Sequence, residues 1–252
     1  MIEVQGLVKR YGQRTAVDRL DFRVPEGSYL ALLGPNGAGK TSTVKILTGL
    51  IRSDAGSVRV AGHDMIRDPD SARGELGYVP DEPYLYEKLS GREFLQFVGR
   101  MYGLSLKEAD LGIAQLAERF EMGPFLDELA EGFSHGMRQR VVFAAALLHR
   151  PKVLIVDEPM VGLDPKSIRL VKDLLRERAR EGAAILMSTH ILDVAEAVAD
   201  RIAILSHGRM VAEGSVAEVR SKADAALSLE EAFLRLTDEG PRRRISDLGG
   251  SR

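Results

Sequence analysis

An α/β fold built on a mostly parallel sheet, with an antiparallel β subdomain and an inserted α-helical subdomain, is predicted by three features of the sequence. The octapeptide GPNGAGKT at residues 34–41 sits between an apolar run, Tyr29-Leu30-Ala31-Leu32-Leu33, and a stretch at 40–47 that can form a helix. In the second half, apolar strand-like runs at 153–156 and 183–187 alternate with helical patterns at 138–149 and from 164 onward, the order that gives parallel strands joined by helices. Between these lies a helical stretch, residues 90 to about 130, that opens twice on a serine followed three residues later by glutamate.

From Ile2 to about Gly62 the chain is strand-rich on both sides of the octapeptide, with runs at 16–24, 28–33 and 57–60 separated by Gly/Pro turns. Residues 76–80, Leu-Gly-Tyr-Val-Pro, form another short strand. The insertion, about 88–132, begins at Ser90-x-x-Glu93 and continues at Ser105-x-x-Glu108. In each the serine oxygen accepts an otherwise orphaned N–H and the glutamate reaches back to the cap residue. A helix follows over 138–149, then the buried strand 153–156. The next helix enters at Asp164-Pro165, a cap followed by a proline whose missing N–H would have had no partner there. Ile168, Val171, Leu174 and Leu175 recur at helical spacing, so this helix packs on the sheet. Ser215-x-x-Glu218 and Ser228-x-x-Glu231 open two more helices, and a Gly/Arg/Ser tail from about residue 238 is expected to be disordered.

At 252 residues the chain suits one large α/β domain or one domain with an insertion. Lys and Arg number 35 against 37 Asp and Glu, a net charge of −2, and the only basic run is Arg242-Arg243-Arg244, so no nucleic-acid partner is expected. The absence of cysteine excludes disulfide and thiol chemistry. The N-terminus lacks a secretion-signal layout, and the longest apolar run, 141–148, falls short of the roughly 20 residues a membrane-spanning helix needs. The chain is therefore expected to be cytosolic, without membrane insertion of its own.

The octapeptide matches G-x-x-x-x-G-K-[ST] at every fixed position, in the strand-loop-helix setting that a phosphate loop requires. Gly34, Gly37 and Gly39 let the backbone aim successive N–H groups at phosphate oxygens, and Pro35, Asn36, Ala38 and Ser42 complete the cradle. Lys40 is placed to reach the β- and γ-phosphates and the Thr41 hydroxyl to ligate Mg²⁺. The apolar strand VLIV ends in Asp157 and Glu158, whose side chains point different ways. Asp157 is suited to hold Mg²⁺ through its water shell and Glu158 to polarise a water for in-line attack on the γ-phosphate. Asn36 is the one asparagine, so the Asn-Lys-x-Asp loop that reads guanine is impossible, which argues against a Ras-like GTPase.

The order of these motifs resembles the ATP-binding subunit of an ABC transporter, a phosphate-loop NTPase, over residues 1–237. The resemblance implies that Tyr11 stacks on adenine, with an ordinary surface or core tyrosine as the plain alternative. Residues 133–140, FSHGMRQR, are similar to the family's signature L-S-G-G-Q-x-Q-R, which implies that Ser134 and Gly136 bind the γ-phosphate of ATP held by another subunit. A simple helix cap would also account for Ser134. Asp164 matches a loop that crosses the dimer interface, or is a plain N-cap, and His190 matches the histidine that contacts the γ-phosphate and orders the catalytic site.

Three positions depart from the family pattern. Asp81 replaces the usual glutamine, so it can ligate Mg²⁺ and face the nucleotide but cannot donate as an amide does; His135 replaces a glycine and Met137 a glutamine. The forms GMRQR, Tyr78-Val79-Pro80 and Ser228-Leu229-Glu230-Glu231-Ala232-Phe233 resemble the export branch, in which the permease is a separate chain. The family's known behaviour implies ATP and Mg²⁺ as ligands and a second ATP-binding subunit, a homodimer. It also implies membrane-spanning permease chains and a location on the cytoplasmic face of the cell membrane, held there by the permease. Tyr84-Leu85-Tyr86 is expected to grip that permease, with the buried aromatics of the insertion as the rival surface. Two other readings stay open. A soluble ABC-type ATPase switch in translation or DNA repair would call for fused cassettes or coiled-coil insertions, which are not seen here. A regulatory module with poor hydrolysis is motivated by Asp81 and His135, and Glu158 and His190 speak against it.

Overall fold

The computed structural model describes residues 1–224 and 226–238. Residues 239–252, and with them the Arg242-Arg243-Arg244 run and nearly all of the tail expected to be disordered, lie outside the described residues. Chain order begins with strands β1 (Ile2–Tyr11), β2 (Arg14–Val24) and β3 (Tyr29–Leu33), then helix α1 (Lys40–Leu47). Next come β4 (Ala55–Val60), β5 (His63–Asp64), α2 (Pro69–Gly74) and β6 (Leu76–Val79). Helices α3 (Gly91–Met101) and α4 (Leu106–Arg119) occupy the inserted stretch, and α5 (His135–Leu147) follows. The remainder is β7 (Val153–Asp157), α6 (Pro165–Arg180), β8 (Ala184–Thr189), α7 (Leu192–Val198), β9 (Arg201–Ser206), β10 (Arg209–Gly214), α8 (Val216–Ala223) and α9 (Leu229–Asp238).

Two sheets form. One is four-stranded and antiparallel, in the order β2-β1-β4-β5; the other has six strands in the order β10-β9-β3-β8-β7-β6, parallel throughout except for the β9-β10 edge pair. Alternation along the central strands divides the core in two. Tyr29, Ala31, Leu33, Leu154, Val156, Ile185 and Met187 face the helices α5, α6 and α7. Leu30, Leu32, Val153, Ile155, Ala184 and Leu186 face α1 and the antiparallel sheet. Covering both faces explains why every residue of β3 and β7 is buried and why these strands read as unbroken apolar runs. Each large side chain so buried contributes about 1.5–3 kcal/mol.

Helices α3 and α4 both start on complete capping boxes, at Ser90/Glu93 and Ser105/Glu108. Phe94, Leu95, Ile113 and Phe120 fix this pair to α5, with the rings of Phe120 and Phe143 6.1 Å apart. The helix expected at 138–149 begins three residues earlier, at His135, because Ser134 accepts the Met137 N–H and caps it. The apolar run 141–148 is core, and no helix among the described residues is long and apolar enough to cross a membrane. Leu85, expected to share a docking surface with Tyr84 and Tyr86, is instead buried against the helical core. Its neighbours are exposed at 73% and 47%.

Candidate nucleotide site

β3 delivers the chain into the loop 34–39, where close backbone approach requires glycine. A Cβ on Gly39, at φ +106°, would lie 2.4 Å from the Ala16 carbonyl oxygen, and one on Gly34 would lie 2.6 Å from that of Leu205. Gly39 sits in the left-handed region at the start of α1 with no side-chain cap, so the first N–H groups of the helix stay free for an anion. Lys40 Nζ, buried, donates to the carbonyls of Gly34 (2.7 Å) and Pro35 (3.4 Å), which holds the cation across the mouth of the loop. Burial lowers the Lys40 pKa, and the carboxylates of Glu158 and Asp157 oppose that shift.

β7 ends beside β8, with Asp157 opposite Ser188. Asp157 is buried, its Oδ1 has no hydrogen-bond partner within normal geometry, and burial pushes its carboxyl pKa up, opposed by the Ser188 hydroxyl and the Lys40 charge and reinforced by Asp81 and Glu158. An orphaned buried carboxylate oxygen is what a cation ligand looks like before the cation is present. Among the described residues no group of three or more His, Cys, Asp or Glu side chains gathers to hold a metal alone. The donor set therefore fits an ion completed by phosphate oxygens, to which Thr41, on the wall of the adjoining cavity, can add a hydroxyl; Asp157 itself does not line that cavity.

Glu158 leaves the sheet with φ +45°, its N–H bonded to the Ser188 carbonyl at 2.9 Å. Its Oε2 lies 3.0 Å from His190 Nδ1 and accepts the His190 backbone N–H at 3.3 Å. Because a carboxylate only accepts, the His190 proton on that side sits on Nδ1 and the other ring nitrogen is left for a ligand.

A cavity of about 510 Å³ unites these groups, Asp157 excepted. Tyr11, Asn36, Gly37, Ala38, Gly39, Lys40, Thr41, Ser42, Asp81, Glu158 and His190 line it, joined by Arg14, Ala16 and Val161, which the sequence did not single out. Gly34 and Pro35 support Lys40 from behind, through their carbonyls. Arg14 donates weakly to the Gly37 carbonyl (3.4 Å) and brings a second cation to the phosphate side; a single arginine in a hairpin has no spacing pattern to reveal it. Tyr11 is half exposed at the end of β1, its ring open to a flat partner, with Lys9 Nζ 5.4 Å from the ring centre. Asp81 is carried up in pKa by burial first, then by the charges of Glu158 and Glu82.

Ser134, Gly136 and Asp164 do not line this cavity. Ser134 caps α5, and Asp164 caps α6 by accepting from the Lys166 and Ser167 N–H groups, so within one chain the plain capping alternative holds for both. Their faces are nonetheless open to solvent, and nothing lies within 4 Å of where a Gly136 Cβ would be.

A family model described as ABC transporter matches residues 17–161. The chain is 42% identical over 247 residues to the daunorubicin/doxorubicin resistance ATP-binding protein DrrA of Streptomyces peucetius, covering 98% of this chain and 74% of that protein. It is 34% identical over 241 residues to the linearmycin resistance ATP-binding protein LnrL of Bacillus subtilis (strain 168), covering 93% and 78% respectively. Among solved structures, an ATP-binding subunit of an ABC transporter superposes with a TM-score of 0.89 at 35% identity, over 94% of this chain and 99% of that one.

Proposed function

The chain belongs to the ABC transporter family and is an ATP-hydrolysing subunit that drives transport, and on that premise we propose how its residues share the work. The phosphate loop, Gly34 to Ser42, cradles the triphosphate, with Lys40 on the β- and γ-phosphates and Tyr11 against adenine. Mg²⁺ would be held by Thr41 and Asp157, with Asp81 facing the same space, and when bound it neutralises charge on the β- and γ-phosphate oxygens. Glu158 accepts a proton from the attacking water, and His190, bonded to the same carboxylate, keeps it aimed; with a proton on Nε2 as well as Nδ1, the ring also donates to the γ-phosphate.

Ser134 and Gly136 complete the site of a second copy, head to tail, with the 162–164 loop between them. The γ-phosphate supplies the differential affinity for the closed pair, and its loss on hydrolysis opens it. The two relatives are named for resistance to daunorubicin/doxorubicin and to linearmycin, which supports an exporter acting on small-molecule drugs, with cargo selected by a separate permease. Tyr84, Tyr86 and Phe97, exposed, with the Tyr86 ring 5.9 Å from Tyr84 and 5.7 Å from Phe97, supply an aromatic surface for that permease and so a place on the cytoplasmic face of the membrane.

The observation that carries the reading is the Glu158 carboxylate, fixed by His190 on the cavity wall that also holds Lys40. Glu158→Gln is expected to bind ATP as the parent does and to lose turnover by about 10²- to 10⁴-fold, as removal of a general base does. A phosphate-release assay beside a nucleotide-binding titration checks it, and parental turnover in that variant would refute the role.

A further inference from the structure

We propose that His135 is a positioning residue that latches the start of α5 to the loop carrying Glu158, so that an ATP phosphate meeting Ser134 and Gly136 also sets the catalytic carboxylate of the same chain. The inference rests on the ATPase reading above and concerns a side chain that the glycine of the family pattern does not have. His135 Nε2 lies 3.2 Å from the Val161 carbonyl oxygen. A carbonyl can only accept, so Nε2 carries the proton, and both the neutral ring in that tautomer and the imidazolium make the bond.

The ring also rests on Gly162. A Cβ there would come within 3.1 Å of His135 Cδ2, and Gly162 holds φ +73°, so this point of the loop suits glycine for two separate reasons. The gripped segment is short and continuous with the catalytic residue: the Val161 N–H bonds to the Glu158 carbonyl at 3.3 Å. Glu158 is therefore held from two sides, by His190 at its carboxylate and by His135 through Val161. Val161 lines the same cavity as Glu158, His190 and Asp81, so the segment that His135 grips is part of the site wall. His135 itself is exposed at the first turn of α5, beside Ser134 and Gly136, where it buries little and supports no core packing.

The test compares His135→Ala, which deletes the donor, with His135→Gln, whose amide nitrogen can reach the place of Nε2; both residues are good helix formers at an exposed site. Steady-state ATP turnover of the purified chain is measured with the kcat and KM effects separated, alongside the thermal unfolding midpoint. The expected result is kcat lowered by about three- to ten-fold in the alanine variant, the worth of one exposed hydrogen bond, with KM and the midpoint unchanged and with kcat largely restored by glutamine. Parental kcat in the alanine variant overturns the latch, and so does an equal loss in both variants, which would make the ring and not its donor the cause. Absence of turnover in the parent chain would instead overturn the underlying ATPase reading.

Discussion

Glu158 is constrained in both backbone and side chain. A non-glycine residue in the left-handed region costs of order 1–3 kcal/mol and persists only where its surroundings fix it. Here the Ser188 carbonyl holds its N–H and His190 holds its carboxylate. Asp157, next to it, is buried with one oxygen unpartnered, and its raised pKa means that ionising it opposes folding. That cost is absent well below pH 3.8, where the group is protonated in both states, and grows as pH rises through the unfolded value towards the raised folded one. Asp157→Asn is therefore expected to raise the unfolding midpoint of the nucleotide-free chain at pH 7, by roughly 2–4 °C per kcal/mol relieved, while abolishing Mg²⁺-dependent turnover. Calorimetry and a turnover assay on the same sample check the pair of effects. Lys40→Ala removes a charged donor from the phosphate cradle and is expected to weaken ATP binding about 10- to 100-fold, read by titration with a fluorescent analogue; near-parental affinity would refute the placement. Such residues were legible in the sequence because phosphate chemistry demands fixed types at fixed spacing. Arg14 and Val161 were not, because their positions come from a hairpin and a loop brought alongside by the fold.

At the scale of elements, legibility followed local hydrogen bonding. The helices α3, α4 and α8 announced their starts because serine and glutamate three residues apart satisfy two orphan N–H groups, as the structure shows at Ser90, Ser105 and Ser215. α5 was placed three residues late because Ser134 caps it with Met137, not a glutamate, at the third position. Ser90→Ala, at a buried cap, is expected to lower stability by about 1 kcal/mol, measured by urea denaturation. The joint between the insertion and the sheet was not legible at all. There His149, just after α5, stacks on Tyr102 at 3.6 Å and donates through Nε2 to the Leu76 carbonyl at 3.2 Å, with Nδ1 buried and unpartnered. Burial, opposed by that hydrogen bond, lowers its pKa from 6.5 to about 4. A histidine kept neutral in the fold contributes its full stability above pH 6.5 and loses it as pH falls towards about 4. Between pH 7 and pH 4.5 the parent is expected to lose about 2 kcal/mol more than His149→Phe, which keeps the stack and cannot protonate. Denaturation at the two pH values checks this, and equal losses would show that the imidazole is not responsible.

For the whole molecule, the decisive fact is that one chain does not bring all the proposed site residues onto one cavity wall. Lys40, Glu158 and His190 share a cavity, whereas Ser134 and Gly136 present their open faces elsewhere. The sequence showed both sets of residues but not that Ser134 and Gly136 stay off the cavity wall while His135 between them reaches Val161 on it. If a second copy brings its Ser134 and Gly136 to the γ-phosphate, the pair should form only while that phosphate survives. Glu158→Gln with ATP and Mg²⁺ is thus expected to elute as a dimer in size-exclusion chromatography with light scattering, and as a monomer with ADP. Adding Gly136→Asp makes the inference specific. A Cβ there lies in open space, more than 4 Å from any atom beyond its chain neighbours and its own helix backbone, and an acidic residue in the first turn of a helix does not oppose the helix dipole. Its only serious conflict is with a phosphate arriving from outside. The double variant is expected to keep its thermal midpoint and bind ATP through its own phosphate loop, yet remain monomeric. Persistence of the dimer would mean that the signature segment does not face the partner's nucleotide, and the head-to-tail arrangement would have to be abandoned.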